Sequence, residues 1–231
     1  MAKIKVLSAG AVESMVTALG NEFARANGHE LDLNFATVGA LRERLAGGET
    51  ADLAILSESA VAALNNLFVA GSIKNLGRTR TGVAIRDGAP KPDISTPEAF
   101  KRALLSAKAV SYTDPKGGGS SGVFFAGVLN RLGIADQVNR NAVLKKRGYE
   151  VGHALANGEA DIGTTFISEL LTVKGITVVG PMPGELDNPN TYTGAIMAGS
   201  AQRDPAGALL AALSDPASRV RWTAAGLEPA F

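Results

Sequence analysis

Four short segments place small, hydroxylated or glycine residues directly ahead of a helical pattern. They are Ser8-Ala9-Gly10-Ala11, Thr37-Val38-Gly39-Ala40, Gly117-Gly118-Gly119-Ser120-Ser121-Gly122 and Arg147-Gly148-Tyr149. Residues of this type suit anion binding. The first helical turn leaves backbone N–H groups without partners, and the helix dipole adds about half a positive charge at that end. Small side chains let an anion come close to those amides. One such segment reads as ordinary capping by Ser or Thr. Four in one chain point to a shared site.

Side chains could add to the amides. Arg147 is the best candidate, because a guanidinium grips a carboxylate or phosphate with two parallel hydrogen bonds. Lys146, Lys116 and Arg80 lie near the same loops. Asp114 reads as a turn former or cap rather than a catalytic group. Gly117, Gly119 and Gly122 match G-x-G-x-x-G, but the match lies mid-chain. No acidic residue closes the next strand, as a dinucleotide site requires. There is no P-loop, no Ser/His/Asp arrangement of interpretable spacing and no prominent carboxylate pair. The two histidines, His29 and His153, lack metal-ligand spacing, so neither a metal nor a cofactor is expected.

These segments need elements to hold them. Short apolar runs alternate with helix-period stretches, the pattern of an α/β protein. Strands are predicted over Lys3–Leu7, Leu31–Phe35, Leu53–Leu56, Thr81–Ile85, Ala109–Tyr112, Val143–Lys146, Asp161–Thr165, Thr177–Val179 and Tyr192–Ala198. Helices are predicted over Val12–Ala26, Ala40–Ala46, Glu58–Ala70, Pro97–Leu105, Phe124–Leu132, Val151–Ala156, Ile167–Val173, Pro205–Leu213 and Pro216–Ala224. The middle of the chain forms its own α/β series, and the last strand and helices return to the first. The expectation is two α/β lobes, residues 1–82 with 195–231 and residues 83–194. A two-stranded hinge near Thr81–Ile85 and Tyr192–Gly194 would join them, with the anion held in the cleft between. No internal repeat is evident.

Composition narrows the classes. The chain has 231 residues, a formal net charge of +1, eight Phe, three Tyr, one Trp and no Cys. Near-neutral charge gives no field that favours nucleic acid. The absence of Cys rules out disulfides, thiolate metal sites and Cys nucleophiles. No apolar run approaches the roughly 18 residues that would cross a bilayer, so no membrane insertion is expected. The segment MAKIKVLSAG has no apolar signal core. The compartment is therefore periplasmic if a signal peptide preceded this sequence, and cytoplasmic otherwise.

The stretches KIKVLSAGAV, NFATVGALRERLAGGETADLAIL, YTDPKGGGSSGVFFAGVLNRLGI and ALANGEADIGTTFISEL resemble the molybdate-binding branch of the type II periplasmic solute-binding proteins. The resemblance spans nearly the whole chain. A-G-G-E-x-A-D-L-A-I-L and G-E-A-D-I-G are its most specific parts. It implies a two-lobed fold of the periplasmic-binding-protein type II, a small anionic ligand and delivery to an ABC-type permease. Residue by residue, the family's ligand contacts fall on Ala11 (near Ser8 and Gly10), Val38 (beside Thr37), Ser121 (after Ser120), Gly148 and Phe166. Several of these lack the hydroxyl that a tetrahedral oxyanion would use, and Arg147 adds a charge. The resemblance thus implies a site retuned toward an organic carboxylate. Aconitate isomerase is similar to the same family. The alternative is therefore an isomerase of a small polycarboxylic acid working by proton abstraction, with His153, Glu150 or Tyr112 as its base.

Overall fold

The computed structural model describes every residue, Met1–Phe231. In chain order the elements are β1 (Lys3–Ala9), α1 (Glu13–Asn27), β2 (Glu30–Ala36), α2 (Val38–Ala46), β3 (Leu53–Ser57), α3 (Glu58–Ala63), β4 (Lys74–Thr79) and β5 (Thr81–Arg86). Then come α4 (Pro97–Ser106), β6 (Val110–Thr113), α5 (Ser120–Arg131), α6 (Ala135–Asn139), β7 (Val143–Lys145), α7 (Gly148–Ala156), β8 (Ile162–Phe166), α8 (Ile167–Leu170) and β9 (Ile176–Pro181). The chain ends with β10 (Asn190–Ile196), α9 (Arg203–Leu213), α10 (Arg219–Ala224) and β11 (Glu228–Pro229). They group into two units, Met1–Arg78 with Asn190–Phe231, and Thr79–Pro189. The chain passes from one to the other at Arg78–Thr79 and back at Pro189–Asn190.

The first unit is built on a six-stranded sheet in the order β11-β4-β10-β3-β1-β2. β1 runs parallel to both β2 and β3, with Ala9 opposite Ala36 and Ser8 opposite Ile55. β10 lies antiparallel to β3, with Tyr192 opposite Ser57. Tyr192–Gly194, read from the sequence as a crossing, thus lies inside this sheet. All five residues of β3 are buried, which explains the unbroken apolar run Leu53–Leu56: a central strand covered on both faces has no polar side. Helix α1 buries Met15, Val16, Leu19 and Ala24 on one face and packs on β2 and α9. Trp222 is fully buried, and its indole N–H donates to the Leu213 carbonyl at 3.1 Å. Its ring fills the space where a side chain on Gly77 would begin, 2.8 Å away.

The second unit has a five-stranded sheet in the order β7-β6-β8-β5-β9. β6 is parallel to β7 and β8, while β5 is antiparallel to β8 and β9. Its main core gathers Val83, Phe100, Leu104, Tyr112, Phe125 and Leu129. Helix α4 starts as its sequence predicts. Pro97 stands in the first turn, and the Thr96 hydroxyl accepts the Ala99 N–H at 3.1 Å.

The expected α/β class is thus the observed one, with differences at element ends. The helix expected over Glu58–Ala70 stops at Ala63. A 3-10 turn over Asn65–Leu67 follows, and Phe68 makes an isolated antiparallel bridge to Met197, just past the end of β10. Two successive asparagines favour turns over helix, and burying Phe68 needs extended backbone. Helix α7 begins at Gly148, three residues ahead of the expected Val151. Strand β4 has no clear apolar alternation (KNLGRT) and escaped the sequence reading.

Candidate functional site

Parallel neighbours end on the same edge of a sheet, which is where ligands of α/β folds bind. In the first unit β2, β1 and β3 are adjacent, so Ala36, Ala9 and Ser57 finish side by side. The chain leaves β1 through a 3-10 turn, Gly10–Val12, that runs on into α1. It leaves β2 at Thr37, whose hydroxyl accepts the Ala40 N–H at 3.2 Å and caps α2. It leaves β3 at Ser57, whose hydroxyl accepts the Ala60 N–H at 3.3 Å. Ser8 is fully buried and donates to the Ala9 carbonyl at 3.3 Å. Ala11 and Val38 are buried, and Gly10 is half-buried. Ser8, Gly10, Ala11, Thr37 and Val38 therefore share one sheet edge. Ser57 joins them, although the sequence reading passed it over. A serine between the apolar run LAIL and Glu58 is a helix-start signature that would have found it.

The second unit repeats this arrangement with β7, β6 and β8. After β6, Asp114 accepts the Lys116 N–H at 2.9 Å and forms the turn, as expected. Helix α5 then opens with half-buried Ser120 and buried Ser121. The Ser121 hydroxyl lies 2.8 Å from Thr113 Oγ1 and 3.1 Å from Thr165 Oγ1. Thr165 donates to Glu169 Oε2 at 2.9 Å, and the Gly148 N–H donates to Glu169 Oε1 at 3.2 Å. Thr165 gives its proton to Glu169, and each hydroxyl has only one to give. The direction is therefore fixed: Thr113 donates to Ser121, Ser121 to Thr165 and Thr165 to Glu169. Two expected ligand contacts, Ser121 and Gly148, are tied into one network that is buried at Ser121 and Thr165 and half-buried at Glu169.

Two glycines permit this approach. A side chain on Gly148 would begin 2.0 Å from Glu169 Oε2, and one on Gly122 would begin 2.1 Å from the Thr113 carbonyl oxygen. Thr113, Thr165 and Glu169 were not singled out from sequence. Only their contact with Ser121 and Gly148 reveals them, and that contact joins residues up to 44 positions apart.

The remaining candidates are placed as follows. Phe166 is buried at the end of β8, opposite Thr81. The Arg147 guanidinium sits 5.9 Å above the Tyr149 ring centre. The Glu150 carboxylate accepts the backbone N–H groups of Lys146 and Arg147, at 3.0 and 3.2 Å, and so serves as the cap of α7. Tyr112 is buried and donates to Asn139 Oδ1 at 2.6 Å. Burial, followed by the nearby Asp114 charge, raises its pKa above the ordinary phenol value. Neither Glu150 nor Tyr112 is thus poised as a base. His153 lies exposed on α7 with its ring edge-to-face on Tyr149, 5.8 Å between centres. A pocket of about 530 Å³ in this unit, lined by Arg86, Lys91 and Ile162 among others, sits at the opposite ends of the strands.

Comparison with known proteins agrees with this architecture. The chain is 32% identical to aconitate isomerase from a Pseudomonas species, covering 98% of this chain and 87% of that enzyme. Its fold is similar to the periplasmic molybdate-binding protein of Azotobacter vinelandii, with a TM-score of 0.79, 18% identity, and 97% and 98% of the two chains covered. It is also similar to the sulfate-binding protein SubI of Mycobacterium tuberculosis H37Rv, with a TM-score of 0.77, 18% identity, and 100% and 88% covered. Residues 4–228 match the family described as Bacterial extracellular solute-binding protein, and the chain belongs to that family.

Proposed function

We propose that this chain binds a small organic carboxylate through the helix-start amides and hydroxyls at its strand ends, and delivers it outside the cytoplasm to an ABC-type importer. One observation carries the reading. In the second unit the starts of α5 and α7 are drawn together by the Ser121–Thr165–Glu169–Gly148 network, at the sheet edge where α/β proteins hold ligands. Buried Phe166 offers no hydroxyl to a tetrahedral oxyanion. No helix is long and apolar enough to cross a membrane.

A thermal-shift screen tests this reading, using molybdate, tungstate, sulfate and a series of di- and tricarboxylates. A ligand at 100 times its dissociation constant adds about 2.7 kcal/mol of stability. Organic acids are expected to stabilise. Stabilisation by molybdate and tungstate only would overturn the preference for carboxylates.

A second reading rests on the 32% identity to aconitate isomerase. Here the bound acid loses a proton beside an anchored carboxylate and regains one at another carbon. Incubation with cis-aconitate in deuterated water decides it. Deuterium entering the acid supports the isomerase, and an unlabelled acid that nevertheless binds leaves a binding protein.

A further inference from the structure

Glu169 lies between two residues expected to contact the ligand, and nothing in the sequence pattern marked it out. Its carboxylate takes the Gly148 N–H on one oxygen and the Thr165 hydroxyl on the other. Thr165 in turn holds Ser121 at the start of α5. The nine-residue helix α7 therefore presents its first amide to a carboxylate of the chain itself. The site is built for that side chain, since any β-carbon on Gly148 would collide with the carboxylate.

We propose that Glu169 determines ligand specificity by occupying the amide that would otherwise hold an oxyanion, so that the site favours organic acids over molybdate and sulfate. The inference rests on the carboxylate-binding reading above and deepens it. Every oxygen of a fully ionised tetrahedral oxyanion is an acceptor. Such an ion brings no donor to a carboxylate, and it finds the Gly148 N–H already bonded. An organic acid has hydroxyl or C–H groups to set against Glu169, and it places its own carboxylates on the remaining helix starts.

The test is calorimetric titration of molybdate, sulfate and the best carboxylate from the screen into the wild-type protein, E169Q and E169A. E169Q keeps the length of the side chain and an oxygen that can accept the Gly148 N–H. E169A empties the position, and thermal melts of the ligand-free proteins verify that each is folded. We expect the ratio of oxyanion to carboxylate affinity to rise at least tenfold in E169A, which vacates the Gly148 amide, and to rise less in E169Q, which keeps that amide occupied. A local support role for Glu169 would weaken both anion classes together and would not move that ratio. An unchanged ratio in folded E169A overturns the inference while leaving carboxylate binding intact. Absence of any carboxylate binding by the wild-type protein overturns the functional reading itself.

Discussion

Asp52 and Asp161 do the same job in the two units. In the first, Asp52 Oδ2 accepts the Lys5 N–H at 2.8 Å, while its own N–H donates to the Lys5 carbonyl at 2.9 Å. In the second, Asp161 Oδ2 accepts the Lys108 N–H at 2.6 Å, and its own N–H donates to the Ala109 carbonyl at 3.0 Å. Each aspartate follows a glycine with positive φ, Gly48 at 88° and Gly158 at 75°. In each the following glutamate pairs with a lysine, Glu49 with Lys5 at 3.0 Å and Glu159 with Lys145 at 2.7 Å. The G-E-x-A-D and G-E-A-D stretches are thus staples that start a strand beside its parallel neighbour, at the edge away from the candidate site. They are a recurrence too short to register as a sequence repeat.

Removing one staple should cost stability and spare binding. Asp52→Ala strands the Lys5 N–H and also the Ser200 hydroxyl that donates to Asp52 at 2.6 Å. We expect a loss of about 1 kcal/mol, the low end of the cost of unmet polar groups, because Lys5, Asp52 and Ser200 are only half-buried. Chemical denaturation measures it. Unchanged stability would mean that water replaces the carboxylate fully.

Acid should find a weak point at Glu49. Hydrogen bonds from Arg44, then from Lys5, hold its carboxyl down at about 2, against an ordinary value of 4.5. The folded state therefore favours the ionised form. That contribution is complete above the unfolded value and fades as pH falls from about 4.5 toward 2. The stability gap between wild type and Glu49→Gln should narrow across that window. A gap that stays constant would show that the pairing does not matter to the fold.

Gly148→Ala and Gly122→Ala should differ in kind. Both force a side chain into occupied space, at a cost of about 1–3 kcal/mol or more. At Gly148 the obstacle is the Glu169 carboxylate, so adding Glu169→Ala should recover part of the loss, a coupling of about 0.5–3 kcal/mol in a double-mutant cycle. At Gly122 the obstacle is the Thr113 backbone, and Glu169→Ala should recover nothing. Equal behaviour of the two would refute the placement of Glu169 against Gly148.

Trp222→Ala should remove about 3–5 kcal/mol, as for other large core deletions. The chain has one tryptophan, and it lies wholly within the first unit. Its fluorescence should therefore follow unfolding of that unit, while circular dichroism follows both. Coincident transitions would show that the units unfold together.

What the sequence made legible divides along a physical line. β3 as a continuous apolar run, α4 with its Thr96–Pro97 start and the glycine loop before α5 are local patterns, and local patterns survive into the fold. Ser121 and Gly148 were legible as helix starts for the same reason. Glu169 was not, because its meaning comes from reaching 21 residues back to Gly148. Glu150 misled because an acidic residue in a first turn can be a cap or a base, and only its bonds to the Lys146 and Arg147 amides decide. β4 was missed because neighbouring strands impose its extended form, which its own residues do not.

The split in the first unit bears on the order of assembly during synthesis. β10 lies between β4 and β3, so that sheet lacks an inner strand until Ile196 has left the ribosome. Thr79–Pro189, by contrast, is one unbroken stretch. The nascent chain should therefore complete its middle portion while its N-terminal portion still waits, exposed to chaperones. Produced as a fragment, Thr79–Pro189 should give dispersed amide resonances and cooperative melting, and Met1–Arg78 should give neither. A well-folded Met1–Arg78 fragment would reverse that order.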